Sequence, residues 1–206
     1  MAKFKTFSPK RIGKLYHVGT MDISKKSDFS REGNGLSVSN CPESWRRITH
    51  GMTHGDTFQL SKPNMKLLNF YALTPTEERL IQAWAIDEGL VIRQPIYMSF
   101  ADSEDGHEYY SVFESREKAL FEADDDEDRV QEYQGLVPTQ KMRDSFMVHI
   151  ELLDVQDFIT MLYAEQQVLD YDGIYWNEIL EEGAYSAPRG VIFNSKLSSF
   201  TCTKIT

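Results

Sequence analysis

The run Leu169-Asp170-Tyr171-Asp172-Gly173-Ile174-Tyr175-Trp176-Asn177-Glu178 constrains this chain more than any other stretch. Upstream of it, residues 154–169 place Val155, Phe158, Ile159, Leu162, Val168 and Leu169 at helical spacing, so a helix is expected to close near Asp170. Tyr171-Asp172-Gly173 reads as a turn, with Asp172 fixing it by hydrogen bonds to nearby backbone. Ile174-Tyr175-Trp176 is β-branched and aromatic and reads as a short strand. Glu178 follows the aromatic pair. Apolar neighbours raise a carboxyl's pKa and a nearby cation lowers it, so Glu178 is a candidate tuned acid. The plainer reading of Glu178 is the polar end of a surface strand.

The 206 residues suffice for one domain with ample core, and 41% hydrophobic with 26% charged residues is an ordinary globular composition. A formal net charge of -10 argues against a general binder of phosphate backbones and allows a basic protein partner. Cys41 and Cys202 are the two cysteines, too few for a disulfide framework or a cysteine metal cluster. The opening MAKFKTFSPKRIGK has no apolar signal core, and no run reaches membrane-spanning length, so a cytoplasmic protein is expected.

Strands are expected at residues 13–20, 35–39, 55–60, 66–70 and 189–193, with another over 198–205 near an edge. A short helix is expected over residues 40–48, and Thr-Pro-Thr-Glu-Glu opens a helix over 76–88 with Leu80, Ile81, Trp84 and Ala85 on one face. The middle of the chain reads as mainly helical. The acidic run Asp124-Asp125-Asp126-Glu127-Asp128 reads as a solvated loop or exposed helix start, with contact to a basic surface or a divalent cation as its alternative. Short strands at both ends with helices between them give an α+β class, not alternating βα units. The chain is expected to form one domain over 1–206, with a mainly helical insertion around 74–150.

Several chemistries lack their signatures. Gly33-Asn34-Gly35 precedes a strand instead of following one, so it is no dinucleotide or P-loop fingerprint. His50 and His54 stand four apart, but Gly51 and Gly55 interrupt any helix that could present them to a metal, and no metal is expected. No nucleophile elbow for Ser-His-Asp hydrolysis is present.

Read together, Tyr16-His17 at the end of a first strand, Gly35-Leu36-Ser37-Val38-Ser39, Gly55-Asp56-Thr57-Phe58-Gln59-Leu60, and Tyr171 through Glu178 resemble the ADP-ribosyltransferase family. The match is to the histidine-starting branch, which includes the poly(ADP-ribose) polymerases, diphtheria-type toxins and small phage and bacterial transferases, the anti-CRISPR type among them. It covers about a third of the chain, in short pieces. The resemblance implies a split β-sandwich of two small, mainly antiparallel sheets with inserted helices and a cleft between the sheets. It also implies NAD as substrate and a macromolecular acceptor, most simply a protein.

Breaking the nicotinamide–ribose bond develops oxocarbenium character, as in glycoside cleavage. The resemblance assigns Glu178 to stabilise that charge and orient the acceptor, and His17 to hydrogen-bond a ribose hydroxyl. The backbone over Tyr16, Val18, Gly19 and Thr20 would hold the carboxamide, with Ser37 and Ser39 lining the cleft. Tyr16, Phe29 and Tyr175 are the candidate aromatic wall for the nicotinamide ring. Two positions depart from the family pattern. Val18 stands where glycine often follows the histidine, and Ser37 replaces the second-strand tyrosine, which implies mono-ADP-ribosylation or a chain that has lost catalysis. The residues by themselves also permit a strand-end histidine satisfied by backbone, a non-catalytic acidic binding protein, or an NAD glycohydrolase.

Overall fold

The computed structural model describes residues 14–22, 35–43, 46, 55–102, 108–146, 149–166, 170–176 and 189–205. Its strands follow the apolar and β-branched runs. β1 (Leu15–Gly19), β3 (Asp56–Ser61) and β10 (Thr201–Lys204) form one antiparallel sheet in the order β1-β3-β10. β2 (Gly35–Val38), β9 (Arg189–Phe193), β8 (Gly173–Trp176) and β4 (Leu67–Asn69) form a second sheet in the order β2-β9-β8-β4. Its β4–β8 pair is parallel and the other two pairs are antiparallel.

Both sheets feed one core. Leu15 and Leu60 come from the first sheet, and Leu36, Val38, Leu67, Tyr175 and Ile192 from the second. Leu36 and Val38, two apart on β2, point to the same side because strand side chains alternate. Each such side chain removed from water contributes about 1.5–3 kcal/mol, so this cluster ties the two sheets to each other.

The chain divides into two compact units, residues 1–81 with 160–206, and residues 82–159. In the second unit β6 (Glu108–Phe113), β5 (Val91–Asp102) and β7 (Val130–Pro138) form an antiparallel sheet in the order β6-β5-β7. Two short helices accompany it, α2 (Arg116–Glu122), whose N-terminus is capped by Ser115, and α3 (Gln140–Asp144), capped by Thr139. Among the described residues the architecture is α+β, with three small, mostly antiparallel sheets.

Two expectations are corrected here. Two sheets were expected and the described residues form three, and the stretch read as a mainly helical insertion is dominated by sheet among its described residues. Arg93, Gln94 and Pro95 break the alternation that would mark β5 in the sequence. Pro95 is tolerated because β6 pairs with β5 only from Tyr97 onward, so at Pro95 the strand has a neighbour on one side alone.

Helix α1 (Pro75–Asp87) starts with a capping box. The Thr74 N–H donates to Glu77 Oε2 at 2.7 Å, and the Glu77 N–H donates back to Thr74 Oγ1 at 3.3 Å. Its buried stripe is Glu77, Ile81 and Ala85, spaced i, i+4, i+8, which leaves Leu80 exposed and off the face where it was expected. Helix α4 (Val155–Gln166) buries Val155, Phe158, Ile159 and Leu162, as its periodicity requires.

Candidate functional site

β1 and β2 belong to different sheets but meet at one point. Tyr16 and Ser39 exchange both backbone hydrogen bonds, at 2.8 and 2.9 Å. One residue on, His17 Nδ1 lies 2.8 Å from the Ser37 carbonyl, and Nε2 lies 2.9 Å from the Thr20 carbonyl. An imidazolium donates to both oxygens, whereas a neutral ring donates to one and turns a lone pair on the other. The ring also stacks on Phe58, with centroids 6.5 Å apart.

Glycine is required under this ring. Gly19 has φ 137°, and a Cβ there would stand 3.3 Å from His17 Nε2. A Cβ on Gly55 would fall 2.8 Å from the Gly19 Cα. The backbone after the histidine is therefore closely approached at Gly19, while the Val18 side chain is buried.

The register of the second sheet aligns its strands in rows. Val38, Gly190, Tyr175 and Asn69 form one row on the core side. At the same end of the sheet Trp176 pairs with Arg189, on the side away from that core. β8 thus finishes at the end of the sheet where Ser39 meets Tyr16. Ser39 is buried, and its hydroxyl accepts from the Cys41 N–H at 3.0 Å and donates to the Cys41 carbonyl.

Tyr175 is not an aromatic wall open to a ligand. It is 0% exposed, its ring lies over Gly190, and its hydroxyl accepts the Asn40 N–H at 3.3 Å. Burial pushes its phenol up to about 12. Within the row alternation Tyr175 takes the core side, so the expected stacking role does not fit it. Tyr16 and Ser37 are half-buried and Thr20 is exposed.

Trp176 was not among the expected site residues. It is 3% exposed, the Arg189 guanidinium lies 5.2 Å from its ring centre, and Phe70 packs against it at 5.6 Å. Among the described residues its indole N–H has no hydrogen-bond partner. An aromatic in a strand read as core gives no sequence signal for such a donor.

The turn before β8 is held by acid–base contacts. Asp172, 3% exposed, accepts from Lys62 Nζ at 2.5 Å and from the Lys66 N–H at 2.9 Å, and its own backbone bonds Lys66 and Phe193. Asp170, at φ 48°, meets Lys196 at 2.6 Å. That ammonium holds the Asp170 carboxyl below its ordinary value and is itself raised by it.

Glu178 and Phe29 lie outside the described residues, as do His50 and His54. Among the described residues no group of three His, Cys, Asp or Glu could hold a metal ion. The acidic run forms an exposed turn and a short 3-10 segment, in which Asp124 and Asp125 take positive φ, Asp126 caps the Asp128 N–H and also pairs with Arg129. Among the described residues no helix is long and apolar enough to cross a membrane. Comparison with protein-family models, with curated proteins and with solved structures returned no match.

Proposed function

We propose that the chain is a mono-ADP-ribosyltransferase of the phage or bacterial effector type, built on an ADP-ribosyltransferase-like split β-sandwich and moving ADP-ribose from NAD to a protein acceptor. The observation that carries this reading is the register of β2, β9 and β8. It brings the end of β8, two residues before Glu178, to the end of the sheet where Ser39 meets Tyr16 and where His17 reaches the Ser37 carbonyl. Two strand spacings, about 10 Å, separate β2 from β8, close enough for one substrate to touch residues of both.

In this mechanism the N-glycosidic bond of NAD breaks and nicotinamide leaves with the bonding electron pair. The acceptor's nucleophile forms the new bond to the ribose C1′ and gives up its proton. Glu178 stabilises the oxocarbenium-like charge. His17 and the backbone at Gly19 position ribose and carboxamide, which lowers the barrier without proton transfer. The test is incubation with NAD labelled in its adenylate half and candidate acceptor proteins. Label on a protein is expected; neither label nor released nicotinamide would overturn the reading. Nicotinamide released with no protein labelled would identify a glycohydrolase at the same site.

One observation favours a second reading, an acidic binding protein without catalysis. Both ring nitrogens of His17 already face carbonyls of the chain itself, so the ring needs no ligand to satisfy it. Such a protein gives no NAD-dependent signal and holds a basic partner with an affinity that falls steeply with salt.

A further inference from the structure

We infer that one face of the β6-β5-β7 sheet is a docking surface for a basic protein, with an uncharged apolar centre set in acidic surroundings. Side chains alternate between the two faces of a strand, so the register assigns each residue to a face. Ile92, Ile96, Met98 and Phe100 of β5 share one face with Tyr110 of β6, opposite Phe100, and Tyr133 of β7, opposite Ile96. Two contacts agree with the assignment. The Phe100 and Tyr110 rings meet with centroids 6.5 Å apart, and the Ile96 side chain fills the space that a Cβ on Gly135 would need.

This face is open along its length. Ile92, Tyr110 and Tyr133, one on each strand, are 47, 52 and 39% exposed. From 92 to 100, from 110 to 112 and from 131 to 137, no position on this face is charged. The opposite face carries Arg93 and Glu132 and buries Ser99. Tyrosine, phenylalanine and methionine with charge kept out is the composition of an interface centre.

Area and charge select the partner. At about 3.3 Å per residue and about 4.8 Å between strands, the face spans roughly 26 by 14 Å, or about 400 Å². That is about half of the roughly 800 Å² that each side gives to a standard interface. The other half must come from the surroundings, and these are acidic. Residues 82–159 carry 19 Asp and Glu against 6 Lys and Arg, a net -13, while the rest of the chain carries 13 against 16, a net +3. At the Phe100 end of the face, the turn leading into β7 exposes Asp124, Asp125 and Asp128, none of them in an ion pair among the described residues. A second copy would bring the same net -13 to the contact. A surface of Lys and Arg around apolar side chains complements both the centre and its surroundings. The inference stands on residues 82–159 alone and does not depend on the NAD reading.

The experiment places a photo-cross-linking benzophenone side chain in the full chain at position 92, 110 or 133, or at 93, 109 or 132, their neighbours on the opposite face. Illumination in host-cell lysate should join the first set, and not the second, to one protein, which is then purified for binding measurements. It should carry net positive charge, bind saturably, and bind less tightly as salt rises. Tyr133→Ser and Ile92→Ser should each weaken binding about ten-fold or more, and Glu132→Gln little. Asp124→Asn with Asp125→Asn and Asp128→Asn should weaken it and flatten the salt dependence. No cross-link from 92, 110 and 133, or equal yield from both sets, overturns the inference. So does a cross-link to a second copy, a partner of net negative charge, or an affinity unmoved by salt or by Tyr133→Ser and Ile92→Ser.

Discussion

The phenol of Tyr175 on β8 spans Gly190 on β9 to accept the backbone N–H of Asn40, just past β2, at 3.3 Å. Three strands are thereby fastened at the end of the sheet that leads toward the candidate site. Gly190→Ala should be costly, because its Cβ would stand 2.6 Å from the Tyr175 ring and 2.8 Å from the Ile174 carbonyl. Overpacking of this kind costs about 1–3 kcal/mol, read as a lower urea midpoint.

Tyr175 also gives the fold an alkaline limit. Its phenol ionises near the ordinary value of about 10 when unfolded and at about 12 when folded. The unfolded state therefore loses its proton first, and stability falls as pH rises from 10 through 12. Urea titrations across that range should show a loss of about 2 kcal/mol, largely absent in Tyr175→Phe.

Asp172 serves stability. Its carboxylate is buried against Lys62 and the Lys66 N–H, so Asp172→Asn leaves the ammonium without its partner and should cost about 3 kcal/mol. NAD affinity per folded molecule, measured by calorimetry well below the melting range, should be unchanged.

Glu178→Gln tests catalysis apart from binding. It keeps size and most hydrogen-bonding capacity but removes the charge, so transfer should slow by about 10²-fold or more. NAD affinity should fall much less, because the neutral ground-state sugar gains little from that charge. If Asp172→Asn abolishes transfer while Glu178→Gln leaves it intact, the acid is misassigned.

Gly19→Ala probes the histidine without removing it. Positive φ and a Cβ 3.3 Å from Nε2 would displace the ring from its seat between the Ser37 and Thr20 carbonyls. NAD binding and transfer should drop together, as in His17→Ala, in an equilibrium-binding and single-turnover comparison.

Much of the first unit was legible from residue pattern. β9 runs over Arg189–Phe193 as expected, and α4 lies within the expected span, because a short continuous apolar run in the one and a period-3.6 signal in the other coincide with burial. The second unit was not legible. β5 carries Arg93, Gln94 and Pro95 in its exposed half, and α2 and the acidic run beside it mimic a charged helical stretch. At the candidate site the meeting of Tyr16 with Ser39 follows the order of the motifs. The role of Tyr175 did not, because all four residues of β8 are buried and no polar position marks which ring faces the core. The buried indole of Trp176 was hidden for the same reason.

The strand order β2-β9-β8-β4 has a consequence for how the protein is made. β2 and β4 leave the ribosome early, but β9, which must sit beside β2, is among the last strands translated. Until then β2 is an unpartnered strand, and β4 has no β8 to join. Residues 82–159, by contrast, contain all three strands of their own sheet and emerge while β8 and β9 are still unmade. Late, long-range pairing is slow and leaves edges exposed. The nascent chain should therefore fold from the middle outward, and the half that carries His17 should be the one most in need of protection while synthesis is unfinished.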